Sequence, residues 1–147
     1  MFKHILAATD GSDLSSAAVA TAARLARSLG AKLTLVNVRE PFVPAYTDWS
    51  GFAPMIDPDV FDKAALAASE KTLVAAKALA AVEKVDCDIA SITALAPWRG
   101  ILECAKEYGC DAIVMASHGR HGIGALVLGS ETQKVLTHST LPVLVTR

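Results

Sequence analysis

Long apolar runs are missing from this 147-residue chain, although 52% of it is hydrophobic. No window approaches the roughly 20 consecutive apolar residues that a helix needs to cross a bilayer. The discrepancy comes from alanine, which supplies 27 of the residues and favours helix and close packing over a bulky hydrophobic span. An excess of one charge sign is also missing: 14 Lys and Arg stand against 15 Asp and Glu, for a net charge of −1. The charges are dispersed, so neither the basic footprint of a nucleic-acid binder nor a polybasic membrane patch is present. Cysteine is scarce. Cys87, Cys104 and Cys110 are odd in number and lack CxxC spacing, which argues against a disulfide framework or a zinc site and fits a reducing compartment. Met1-Phe2-Lys3-His4 leads directly into a strand-like stretch without the pattern of a signal peptide. The expectation is a soluble, cytoplasmic protein with no nucleic-acid or membrane partner.

What is there reads as one domain over residues 1–147, a length that buries about two-thirds of the unfolded surface in a single core. His4 to Ala8 is a short apolar run that stops at Thr9-Asp10-Gly11-Ser12-Asp13. Beyond it Ala18, Ala22, Leu25 and Leu29 recur at helical spacing, and Gly30 stands where a helix C-terminus takes glycine. Leu33 to Val38 supplies a second strand, completing a strand, helix and strand unit. Four prolines and Gly51 between Pro41 and Pro58 rule out a regular element there, so Phe42, Tyr46, Trp49 and Phe52 ride on a loop. That loop reads as a lid, as a contact surface, or as aromatics packed over the sheet end. A helix over about 59–83, a more polar strand over 85–94 and a short helix after Pro97, ended by Gly109, come next. Ala112 to Met115, a helix over about 130–137 and a last strand over 141–145 complete the chain.

Strands alternating with helices require right-handed crossovers and a parallel sheet covered on both faces. The fold class is therefore α/β: a doubly wound five-stranded parallel sheet with helices on both faces. The polar third strand suits an edge and the apolar first and fourth suit the centre, giving the order 3-2-1-4-5. In that order the chain reverses between strands one and four, and a ligand crevice opens at their C-terminal ends, at Thr9-Asp10 and Ala116-Ser117.

The crevice has one distinctive segment. Gly119, Gly122 and Gly124 let the backbone curve after the fourth strand, and Gly129-Ser130 stands at the mouth of the next helix. A helix N-terminus with unpaired amides is a ready anion site; the plain alternative is a connecting loop with Ser130 as an ordinary N-cap. Arg120, with His118 and His121, supplies cationic donors for phosphate or else a solvated loop charge. The His118-x-x-His121 pair has no helix to align it and no third ligand nearby, so no metal site is read from it. Asp10 can hold Mg²⁺ through water or cap the first helix, and these roles are compatible.

These segments resemble the universal stress protein family over nearly the whole chain. The resemblance is carried by Lys3 to Ser12, by Asp111-Ala112-Ile113-Val114-Met115-Ala116-Ser117-His118-Gly119, and by Gly129-Ser130 through Val145. The family's nucleotide-binding branch has a G-x2-G-x9-G-[S/T] loop, and Ala116, Gly119, Gly129 and Ser130 stand at those spacings. The resemblance implies ATP, ADP or AMP as ligand, possibly with Mg²⁺. It places Ala8, Thr9 and Asp10 on the floor and beside the nucleotide, and Val38 against adenine. Met115 and Ala116 would line the ribose or base side, with Gly119, Gly129, Ser130, Glu131 and Thr132 around the phosphates. Ala116 replaces the first glycine, which is tolerable at negative φ and strained at positive φ. Glu131 brings a carboxylate towards phosphates, suiting the helix dipole while repelling a polyanion unless a metal or Arg120 intervenes.

A G-x-S-x-G elbow and a Walker A loop are both absent, and no lysine stands at the phosphate loop. Binding with at most weak ATP hydrolysis is expected, not an enzyme. The last strand would be an apolar edge blunted only by Pro142. The resemblance implies that Leu141, Val143, Leu144 and Val145 pair with a second copy in a homodimer. The function expected is a nucleotide-binding stress sensor or signalling module; the alternative is an interaction module that holds no nucleotide.

Overall fold

The computed structural model describes residues 1–44, 56–119 and 128–147. Five strands form one parallel sheet in the order β3-β2-β1-β4-β5, the order expected above. The strands are β1 (His4–Ala8), β2 (Lys32–Arg39), β3 (Asp88–Thr93), β4 (Ala112–Ala116) and β5 (Val143–Thr146). The helices are α1 (Asp13–Leu29), α2 (Pro58–Val82), α3 (Pro97–Glu107) and α4 (Ser130–His138). No helix among the described residues is long and apolar enough to cross a membrane.

Strand periodicity divides the core in two. Ile5 and Ala7 point to the face covered by α1 and α2, where Leu33, Leu35, Leu73 and Val114 join them. Leu6 points to the opposite face, with Val36, Ile113 and Met115, under Ile101 of α3 and Val135 of α4. Because both faces are covered, β1 and β4 read as unbroken apolar runs rather than as alternating ones. The alanines do specific work in α1. Ala18, Ala22, Ala23 and Ala26 are fully buried, and their small side chains let the helix axis approach the sheet.

The helix ends follow local chemistry. Ser12 caps α1 by accepting the Ser15 N–H at 3.2 Å, and Gly30 closes it at φ 63°, a conformation in which a Cβ would be strained. Asp57 caps α2, with Pro58 in its first turn. Two strand limits differ from those expected. β3 begins at Asp88 rather than at 85, because Val85 still donates its N–H to Ala80 at the end of α2 and Lys84 turns the chain at φ 60°. β5 begins at Val143 rather than at 141: the Leu141 N–H is taken by the Ser139 hydroxyl at 3.0 Å, leaving it outside the ladder. Of the aromatic loop, Phe42 packs edge-on against Phe61 of α2, with centroids 5.4 Å apart. Tyr46, Trp49 and Phe52 lie outside the described residues.

Candidate functional site

A cleft of about 610 Å³ opens at the C-terminal ends of the strands, where β1 and β4 lead to helices on opposite faces. Its floor comes from β1. The Thr9 N–H bonds the Val36 carbonyl at 2.9 Å, and its hydroxyl lies 3.1 Å from that of Ser15 in α1. From β2, the Asn37 amide donates to the Thr9 carbonyl at 2.8 Å. Thr9 is thereby fixed by three hydrogen bonds from two elements, β2 and α1, and the next residue, Asp10, is set at the crevice. One Asp10 carboxylate oxygen accepts the Ser12 N–H at 2.9 Å, which braces the turn into α1.

Across from Asp10 lies Gly119. A Cβ on this glycine would stand 2.7 Å from the other Asp10 carboxylate oxygen, so the bare backbone is what lets the two approach. Gly129 is constrained in the same manner: its Cβ would meet the Ser117 carbonyl at 3.0 Å and the His118 Cα at 3.3 Å. At φ −58° the backbone of Gly129 is accessible to any residue, so close approach decides this position, and its N–H closes the contact by bonding the Ser117 carbonyl at 2.8 Å.

Gly129 is the N-cap of α4, and no side chain among the described residues caps the helix there; Ser130 is the first helical residue rather than the cap. Gln133 donates back to the Gly129 carbonyl at 2.9 Å, which leaves the N–H groups of residues 130–132 without acceptors inside the helix. They carry the positive end of its dipole into the cleft. Thr132 is buried, and its hydroxyl donates to the Ala116 carbonyl at 3.0 Å, fastening α4 to the end of β4. Ala116 lies in strand conformation, and among the described residues Lys84 is the one non-glycine with positive φ. The methyl group that replaces the expected glycine therefore carries no backbone strain.

The repulsion expected from Glu131 is offset. One of its carboxylate oxygens accepts the Trp98 N–H at 2.9 Å, and the other meets the Lys134 ammonium at 2.9 Å. His118 adds a buried polar atom: its Nδ1 is 3.0 Å from the Ser117 hydroxyl, and its Nε2 has no hydrogen-bond partner among the described residues.

The cleft is lined by Ala8, Thr9, Asp10, Val38, Met115, Ala116, Gly119, Gly129, Ser130, Glu131 and Thr132, residues that the sequence singles out separately. Arg120 and His121 lie outside the described residues. Among the described residues no three His, Cys, Asp or Glu side chains gather as metal ligands. Sequence reasoning missed one wall entirely. Ala65, Ala68, Ser69 and Thr72 of α2 line the cleft together with Asn37 and Arg39 of β2. The spacing of the four α2 positions, one face of a helix, was the available signal.

A model of the universal stress protein family matches residues 1–147. The chain belongs to the universal stress protein family. It is 37% identical over 147 residues, the full length of both chains, to the Thermus aquaticus protein described as a universal stress protein in the QAH/OAS sulfhydrylase 3' region. Universal stress protein UspA from Lactobacillus plantarum superposes with a TM-score of 0.79 at 25% identity, covering 99% of this chain and 97% of that one. A universal stress protein solved in complex with cAMP has a TM-score of 0.75 at 24% identity over 99% of this chain and 97% of that one.

Proposed function

We propose that the cleft holds an adenine nucleotide and that the protein acts as a homodimeric sensor or signalling module in a stress response, binding its ligand rather than turning it over. The observation that carries this reading is the pairing of an uncapped helix N-terminus, at Gly129 and Ser130, with a cleft of about 610 Å³. Backbone amides at such a terminus suit phosphate oxygens. The apolar stretch formed by Ala8, Val38, Met115 and Ala116 suits a base and ribose. In this reading Gly119, Ser130 and Thr132 surround the phosphates, Glu131 remains tied to Trp98 and Lys134, and Arg120 joins as a cationic donor. Asp10 stands where it can hold a Mg²⁺ ion through water. The His118 Nε2 gains a partner that the described residues do not supply. A universal stress protein of the same fold, solved in complex with cAMP, supports the ligand class.

Among the described residues no lysine lines the cleft, and Ser117, whose hydroxyl meets His118, is not one of its lining residues, so hydrolysis is expected to be slow. For the dimer, β5 is the outer strand beyond β4, and Leu144 on it is 45% exposed. Val143 and Val145 pack towards the α3 and α4 side, leaving an apolar edge that a second copy would cover.

Three measurements test the reading. Purified protein is heat-denatured and the supernatant assayed for adenine nucleotide; affinity for ATP, ADP and AMP is then measured by calorimetry, with Gly129→Val as the control. Binding by the wild type and its loss in the variant are expected. Absence of binding in both favours the interaction module instead. Sedimentation at micromolar concentration should show a dimer that Leu144→Lys dissociates, and a monomeric wild type removes the dimer from the proposal.

A further inference from the structure

The wall that the sequence did not reveal carries a cation with a defined orientation. Arg39, the last residue of β2, lines the cleft. Its Nε–H donates to the Ser91 hydroxyl of β3 at 2.9 Å, and that hydroxyl lies 2.7 Å from the Ser69 hydroxyl of α2. Ser69 is 3% exposed, so the array is anchored in the protein interior. A guanidinium is planar and presents five donors; a bond at Nε fixes its plane and leaves the Nη groups. Among the described residues no carboxylate forms an ion pair with Arg39. A surface arginine serving solubility has no use for a serine that holds it still and is itself braced by a second serine from another element, because ordering such a side chain costs entropy.

The position of this group along the cleft matters. β2 is two strands away from β4, ~10 Å at the usual strand spacing. A nucleotide whose phosphates sit at the start of α4 thus places its base towards Arg39. Two parallel N–H donors match two adjacent acceptors, and 6-oxopurines offer such a pair, O6 and N7. Adenine offers N7 beside an amine that donates. Glu40, next in the chain and lining the same cleft, is an acceptor for that amine.

We infer that Arg39 is a specificity-determining residue for the base, admitting 6-oxopurine nucleotides such as IMP and GMP to the cleft alongside adenine nucleotides, with Ser91 and Ser69 as positioning residues for its guanidinium. This rests on the nucleotide reading of the cleft and extends its ligand class. Lysine at 39 keeps the charge and loses the planar fork, so it separates recognition of the base from general attraction of an anion.

The test is calorimetry with IMP and AMP, which share the ribose and phosphate, on wild type, Arg39→Lys, Ser91→Ala and Ser91→Thr, with thermal melts confirming the fold of each. Wild type is expected to bind IMP within about tenfold of AMP, and Arg39→Lys to weaken IMP by about tenfold while changing AMP by less than about threefold, as loss of a bidentate contact predicts. Ser91→Ala should lower the ratio of IMP to AMP affinity in the same direction, and Ser91→Thr should restore it. Parallel losses for both ligands in Arg39→Lys overturn the inference, and an unchanged ratio in Ser91→Ala removes the positioning role. AMP binding without IMP binding sinks this inference and leaves the adenine reading intact. IMP binding without AMP binding overturns the adenine reading and, with it, the inferred dual admission, and no binding of either sinks both.

Discussion

The Glu131 carboxylate, on the first turn of α4, accepts the Trp98 backbone N–H of α3 at 2.9 Å. α3 has no cap of its own: its N-cap position is Ala96, and Pro97 has no N–H to satisfy. One helix therefore caps another, and the same contact turns an acidic side chain away from simple repulsion of an anion at the start of α4. Stacking of Trp98 on His138, with centroids 4.6 Å apart, ties the two helices a second time.

Glu131→Ala should lower stability by about 1 kcal/mol, the usual value of a lost N-cap. Glu131→Gln keeps a carbonyl oxygen for the Trp98 N–H and should lose less than half of that. Denaturant melts of the two variants check the expectation, and equal losses would mean that the ion pair with Lys134, not the cap, carries the effect.

Gly119→Ala should leave the fold intact and disturb the crevice. The added Cβ would come within 2.7 Å of an Asp10 carboxylate oxygen, so Asp10 must shift from the place where its neighbour oxygen holds the Ser12 N–H. A melting temperature close to that of wild type, with nucleotide affinity reduced about tenfold or more, is the expected pattern for a shift of roughly one bond length in a binding site. Calorimetry and thermal melts measure both halves.

Asp111 should make stability depend on pH in the acid range. Its carboxylate accepts the N–H groups of Lys3 at 2.8 Å and His4 at 3.0 Å, and these bonds, the Lys3 one first, hold its pKa below the usual carboxylate value against the opposing effect of burial. A depressed pKa in the folded state gives stability that is present above the unfolded pKa and lost as pH falls through the folded one. The gap in melting temperature between wild type and Asp111→Asn should therefore be largest near neutrality and close below about pH 4. A gap independent of pH would show that the carboxylate charge is not what stabilises the start of β1.

The cysteines should be unreactive in the folded protein. Burial pushes Cys104 up to about 12 and Cys110 up to about 11, and raises Cys87 as well. All three thiols are free and buried, so at pH 8 the nucleophilic thiolate is scarce and shielded. Labelling by a disulfide reagent should be slow in buffer and rapid for three thiols in denaturant. Fast labelling of Cys104 or Cys110 in the native state would show local opening of the α3 region, and fast labelling of Cys87 would show opening at the start of β3.

Much of the architecture is legible in the chain because doubly wound sheets write themselves into sequence. Short apolar runs such as His4 to Ala8 and Ala112 to Ala116 alternate with amphipathic helices, and both faces of the sheet must be covered, so order and handedness follow from few alternatives. The glycine spacing from Gly119 to Gly129 is legible for a related reason: it marks where the backbone needs close approach. The limits of β3 and β5 are not, since they depend on single hydrogen bonds, from Val85 to Ala80 and from Leu141 to Ser139.

By itself the sequence determined the fold class, the family and the crevice at Asp10 and Gly129, because periodicity and glycine spacing are local properties of the chain. Only the tertiary structure decided that Glu131 serves α3, and that Ser69, Ser91 and Arg39, far apart in the chain, form one hydrogen-bonded wall of the cleft. Those pairings depend on which helix covers which strands and at what register. Side-chain hydrogen bonds reach only about 3 Å, so such partners become visible only when packing has brought them together.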